Sequence, residues 1–282
     1  MNVQTVTVLG AGTMGHGVAH AAASSGYDTR LYDPSAAQLE QARAQIDAVF
    51  RKAVELGKAT STEADAGMAR LVTTTDVARA LGGADLVIEA APERIDLKLA
   101  LLGEVERHAP ASAVIATNTS ALSITEMAGS IARPSRVAGM HFFNPVHKMK
   151  LIEIVQALES SSDTLETIET VARKMGKETV LVRESPGFIT TRVNASIGNE
   201  AFYMLLEGVA SARDIDKALK LGLNHPMGPF ELVDLVGLDT RLSILEYLHR
   251  SMGEKYRPCP LLVQYVRAGR LGRKVGRGVY DY

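Results

Sequence analysis

The sequence predicts an α/β protein: a mostly parallel sheet covered by helices, with a helical hairpin protruding beside it, followed by an all-helical C-terminal domain. Three observations carry this expectation. Short apolar runs alternate with helical stretches from Val6 to about Val182, the pattern of parallel strands joined by crossover helices. A glycine-rich turn directly follows the first run and opens an Ala-rich helix. Ser185-Pro186-Gly187 then breaks the alternation, and nothing after it reads as a strand until the last few residues.

The candidate strands are Val6–Leu9, Thr29–Tyr32, Leu71–Thr74, Leu86–Ile88, Val114–Ala116, Val137–Met140, Ile152–Val155 and Glu178–Val182. That is too many for half of a Rossmann-type sheet, so the first domain holds a full one. Between the second and third runs, Ser35 and Gln38 have the spacing of a capping box, and Leu39, Ala42, Ile46, Val49, Ala53 and Leu56 keep helical spacing. Gly57 stops that helix and a second piece runs through Met68, which makes residues 35–69 the hairpin. The break at Ser185 divides the chain into domains 1–184 and 185–282. Beyond it, Phe188, Val193, Ile197, Ala201, Met204 and Leu205 recur at helical intervals, and Ala212–Leu221, Pro229–Val236 and Leu238–Arg250 continue the signal. This second domain is small for its apolar content, and pairing with another copy would cover the excess.

Composition narrows the function classes. The 282 residues are 46% hydrophobic, enough for a sizeable core, and 31 basic against 32 acidic residues leave no global field to attract nucleic acid or an anionic membrane. No apolar run approaches the ~20 residues of a membrane span, and the N-terminus lacks the pattern of a cleaved signal, so a cytoplasmic location is expected. The single cysteine, Cys259, lies between Pro258 and Pro260 and reads as structural; it leaves no internal disulfide and no multi-cysteine metal site.

The turn Gly10-Ala11-Gly12-Thr13-Met14-Gly15 has a specific physical reading in its strand–turn–helix context. The first glycine permits the tight turn, the second lets backbone approach a pyrophosphate, and the third lets the helix pack on its strand. The helix N-terminus then faces the phosphates. Asp33 ends the second strand, where its carboxylate accepts hydrogen bonds from an adenosine ribose and repels a 2'-phosphate. NAD is therefore favoured over NADP, with FAD the competitor that shares the fingerprint.

Two clusters carry candidate chemistry. Asn118-Thr119-Ser120 follows a strand at the rim where open parallel sheets bind ligands, and either holds a polar substrate or, with Ser123, caps the next helix. His141-Phe142-Phe143-Asn144-Pro145 follows another strand, and Glu153 interrupts the apolar run Leu151–Val155. A carboxylate there needs a partner to offset its desolvation, and a histidine is a natural one. Such a pair is either a general base beside a nicotinamide or a core ion pair.

Taken in order, Gly10–Gly15, Glu89-Ala-Ala-Pro-Glu93, Thr117-Asn-Thr-Ser120, His141 through Glu153, Ser185-Pro-Gly-Phe-Ile189, Pro226 through Leu232 and Gly272 through Tyr280 resemble the 3-hydroxyacyl-CoA dehydrogenase family over essentially the whole chain. The resemblance implies that His141 is the catalytic base, Glu153 its orienting carboxylate and Ser120 a hydrogen-bonding group shared by substrate and nicotinamide. It places Glu93, Lys98, Asn118, Asn144 and Lys274 on the cofactor side of the cleft, and implies an acyl-CoA substrate, 3-hydroxybutyryl-CoA above all, with Lys52 on the hairpin facing a CoA phosphate. It also implies a homodimer through the helical domain and a place in fatty acid metabolism. One departure stands out: where much of the family carries an asparagine that contacts substrate, this chain has Thr191, and Asn194 lies one turn on as a partial substitute. Two alternatives stand beside it: a dehydrogenase of a small sugar acid or free hydroxy acid, enzymes that share the fold or its two-domain plan, and an NAD-binding structural or sensing protein that has lost catalysis. None of these readings requires a metal.

Overall fold

All eight predicted runs form strands of one sheet in a computed structural model that describes residues 2–282. The chain runs β1 (Thr5–Leu9), α1 (Thr13–Ser24), β2 (Asp28–Tyr32), α2 (Ala36–Glu55), α3 (Ser61–Ala69), β3 (Leu71–Thr74), α4 (Val77–Leu81), β4 (Leu86–Glu89), α5 (Ile95–His108) and β5 (Val114–Thr117). It continues through α6 (Ile124–Ala128), β6 (Val137–Phe142), β7 (Leu151–Gln156), α7 (Ser162–Lys174) and β8 (Glu178–Arg183). The strand order is β3-β2-β1-β4-β5-β6-β7-β8, which reverses direction beside β1, the place where such sheets bind dinucleotides. All pairings are parallel except β6–β7, which is antiparallel because a short loop rather than a helix joins those strands.

The hairpin of α2 and α3 packs on α1 and joins the core of the sheet unit through Leu39, Ala42, Ile46 and Phe50. The predicted face drifts from this stripe at its far end: Leu56 lies at the helix C-cap and is exposed. Gly67 on α3 makes the contact possible, since a Cβ there would sit 2.4 Å from the Phe50 ring. The capping box expected at Ser35 forms only by half. Ser35 accepts from the Gln38 N–H, but the Gln38 amide donates instead to the Ala11 carbonyl at 3.0 Å, and the Ser35 N–H goes to Asp33. A reciprocal box closes at Thr60 and Glu63, where α3 begins.

The chain forms two compact units, one ending at Glu184 and the other spanning Ser185–Tyr282. The second contains α8 (Thr190–Leu206), α9 (Ala212–Gly222), α10 (Pro229–Val236), α11 (Leu238–Met252) and α12 (Pro260–Arg267) around Phe202, Phe230, Leu245, Leu248 and Leu262. The buried face of α8 differs from the apolar periodicity. Ala195, Gly198, Asn199 and Phe202 point inward and Val193 is exposed, because Asn199 is held inside by bonds to the Arg257 carbonyl and the Cys259 N–H. Cys259 is a core residue, and burial raises its thiol pKa. Among the described residues no helix is long and apolar enough to cross a membrane.

Candidate active site

The glycine turn closes as its sequence requires. Gly10 has φ +102°, and a Cβ there would lie 2.8 Å from the Ala90 carbonyl; one on Gly15 would lie 1.7 Å from the carbonyl of Gly10. These two glycines are demanded by the fold. Gly12 is different: a Cβ would meet nothing within 4 Å, and Gly12 caps α1 without any side-chain bond. Its backbone is laid open at a helix N-terminus beside exposed Thr13, while Met14 packs on the core, which fits a cradle for the NAD pyrophosphate. Asp33 accepts the Ala11 N–H on Oδ2 at 2.9 Å and the Ser35 N–H on Oδ1 at 3.0 Å, so it anchors the loop. A carboxylate has about four acceptor positions, and the remainder suit ribose hydroxyls.

At the carboxyl ends of β4 and β5 lies a buried ionic network. Lys98, which could have been a solvated helix residue, is 1% exposed and donates to both oxygens of Glu89 at 2.8 Å and to the Ala91 carbonyl. Glu89 also accepts the Thr117 hydroxyl and the Ala91 N–H, both at 2.6 Å. Glu93 stands 3.5 Å from Lys98 and accepts, on one oxygen, the Thr119 hydroxyl and the N–H groups of Ser120 and Ala121. The carboxylate of Glu93 thus fixes the loop that carries Ser120. Capping of α6 falls to Ser123, which accepts the Glu126 N–H, so Ser120 is not the cap. Asn118 uses its side-chain carbonyl to bind the Phe142 N–H across to β6. Sequence reasoning gave no role to Glu89 or Thr117. The available signal was the same as for Glu153: a charge ending the wholly apolar run Leu86-Val87-Ile88.

His141 and Glu153 face each other directly in the antiparallel register of β6 and β7, twelve residues apart in sequence. Their side chains meet at 2.7 Å, Nδ1 to Oε2, with His141 buried and Glu153 wholly so. The Phe143 ring lies 4.6 Å from the imidazole. With Nδ1 donating to the carboxylate, the neutral ring keeps its lone pair on Nε2, the arrangement of a histidine able to take and return one proton.

The remaining candidates are more dispersed. Asn144 is exposed in the loop after β6, preceding Pro145 through a cis peptide. Lys52 lies on the solvent face of α2, paired with Glu55 at 2.8 Å. In the helical unit, Thr191 and Asn194 lie in the first turns of α8, and Lys274 donates to both oxygens of Asp239 at 2.6 Å.

Comparison with known proteins matches residues 5–185 to the model of the 3-hydroxyacyl-CoA dehydrogenase NAD-binding domain and residues 187–282 to that of the C-terminal domain. The chain is 42% identical to a 3-hydroxybutyryl-CoA dehydrogenase of Bradyrhizobium diazoefficiens, covering 99% of this chain and 96% of that protein. It is 43% identical to a 3-hydroxyadipyl-CoA dehydrogenase of Escherichia coli, across the whole chain and 60% of that longer protein. The crystal structure of an (S)-3-hydroxybutyryl-CoA dehydrogenase from Ralstonia eutropha superimposes with a TM-score of 0.96 at 40% identity, covering 100% of this chain and 99% of that one. The glycine turn anchored by Asp33, the buried His–Glu pair and these matches over both units agree: the chain belongs to the 3-hydroxyacyl-CoA dehydrogenase family, with NAD as its cofactor.

Proposed function

We propose that this chain oxidises the carbon-3 hydroxyl of (S)-3-hydroxyacyl-CoA, with 3-hydroxybutyryl-CoA as the preferred short-chain substrate, to the 3-ketoacyl-CoA. The observation that carries this reading is the buried 2.7 Å contact between His141 and Glu153 at the sheet rim. In this reading His141 Nε2 takes the substrate hydroxyl proton, and Glu153 holds the ring in the required tautomer and offsets the positive charge it gains. NAD bound at the Gly10–Gly15 cradle supplies the acceptor for the hydride leaving carbon 3. The Ser120 hydroxyl, positioned through Glu93, bonds the same substrate oxygen. In the reverse direction protonated His141 returns the proton. Glu93, Lys98, Asn118, Asn144 and Lys274 serve the cofactor side, and Lys52, Thr191 and Asn194 the acyl-CoA.

The relatives' names cover acyl chains ending in a methyl group, as in 3-hydroxybutyryl-CoA, and in a carboxylate, as in 3-hydroxyadipyl-CoA. We assign this chain to fatty acid metabolism, in the oxidative breakdown of acyl chains. A cytoplasmic homodimer completes the proposal. A reducing setting suits a lone cysteine packed in a core, and the helical unit leaves Val193, Leu206, Val209, Leu221 and Leu223 exposed, apolar surface that a second copy would cover.

The test is NADH oxidation with acetoacetyl-CoA, run beside NADPH and free acetoacetate, on the parent and on His141→Ala. Turnover restricted to NADH and the thioester, and reduced about 10²–10⁴-fold in the variant, is the expected result. Equal turnover by His141→Ala, or a preference for the free acid, would overturn the proposal.

A further inference from the structure

Arg241 on α11 is among the most buried side chains of the chain, at 2% exposure, yet its charge is unmatched. Its Nε–H has no hydrogen-bond partner, and among the described residues no carboxylate pairs with the guanidinium. Burial alone pushes its pKa down to about 10, so it stays charged at neutral pH. The buried carboxylates of the same unit are already engaged. Asp216 accepts the N–H groups of Phe230 and Glu231 and the Tyr280 hydroxyl; Asp234 accepts those of Val279 and Tyr280 and the Tyr282 hydroxyl. An isolated buried cation is costly unless an anion meets it, and the planar guanidinium fork matches a carboxylate in two-pronged geometry.

The position of the side chain relates the cation to the helix face assigned to substrate. A Cβ on Gly198 would lie 3.6 Å from Arg241 Nε, an ordinary contact distance, so the guanidinium packs beside α8 at this glycine. Thr191, Asn194 and Gly198 recur at i, i+3 and i+7, one face of that helix. The cation therefore stands one turn beyond the two residues assigned above to substrate.

We propose that Arg241 anchors a carboxylate-binding site in the helical unit. The carboxylate has two sources: the far end of a 3-hydroxyacyl chain, which rests on the function proposed above, or a free dicarboxylate bound as an effector. Two arms distinguish them. The first compares kcat/KM for the CoA thioesters of 3-hydroxyadipate and 3-hydroxybutyrate in the parent, in Arg241→Met and in Arg241→Lys, which keeps the charge but loses the planar fork. The second measures the rise in Tm that free adipate gives each protein. If the substrate is the source, the adipyl-to-butyryl ratio falls on the order of 30-fold or more in Arg241→Met, and by less in Arg241→Lys. If the source is a free anion, the ratio holds, while adipate raises the Tm of the parent and not of Arg241→Met. A parent that turns over neither thioester refutes the proposed function, and the second arm alone then decides the site. An unchanged ratio with no adipate effect on the parent, or with the same effect on Arg241→Met, overturns the proposal.

Discussion

Glu153 shows what a single residue in the wrong chemical setting reveals. A carboxylate within Leu151-Ile152-Glu153-Ile154-Val155 is expensive to bury alone, and the structure matches it with His141 at 2.7 Å. Glu153→Gln keeps the shape and removes the charge that stabilises a protonated ring. We expect kcat to fall about 10²–10⁴-fold with NAD affinity nearly unchanged. Stopped-flow turnover and NADH-binding titrations on the same protein decide it, and an equal loss of cofactor binding would make Glu153 a structural residue. Glu89 gave the same kind of signal from the end of β4, but its partner Lys98 looked like part of a solvated helix. Arg241 was silent in the sequence, because an arginine among helical residues reads as surface until the fold buries it.

At the scale of elements, the turn between β1 and α1 separates glycines needed for folding from one whose proposed role is to bind the ligand. Gly15→Ala would drive a Cβ into the Gly10 carbonyl and should unfold the sheet unit. Gly12→Ala meets no protein atom and should cost about 1 kcal/mol or less, while raising KM for NAD strongly. Urea titrations paired with NAD saturation curves check both, and a Gly12→Ala protein with unaltered KM would detach this backbone from the cofactor. The docking of the hairpin on α1 carries a pH dependence. The His20 ring lies 4.4 Å from Phe50 with neither nitrogen bonded. Burial first, then the positive charge of His147, Lys177 and His16, lowers its pKa from 6.5 to about 4. The unfolded chain takes up this proton near 6.5 and the folded chain only near 4. Stability is therefore lost as pH falls through that window, on the order of 3 kcal/mol from this group. Replacing the ring in His20→Leu should flatten the fall in unfolding free energy between pH 7 and 4; an identical slope in both proteins would show that other groups set it. Capping was only partly legible at this scale. Ser35 and Gln38 had the right spacing, but a carbonyl of the nearby glycine turn competes for the glutamine.

For the whole molecule, the proposed assembly makes a direct prediction. Sedimentation should give twice the chain mass, and Leu206→Glu with Val209→Glu should shift it toward monomer; a parent that sediments only as monomer would remove the dimer. The sequence by itself determined the succession of strands and helices, the break at Ser185, the dinucleotide turn and the residues expected to do chemistry. These are local properties, since periodicity, turn residues and a charge in an apolar run are set by neighbours along the chain. Only tertiary structure decided the partners. It reversed β7 against β6 and so brought His141 opposite Glu153; it buried Lys98 between two glutamates, and it buried Arg241 with no carboxylate paired to it among the described residues. Those outcomes depend on which distant segments share a space, where desolvation and pairing act on atoms that the sequence leaves far apart.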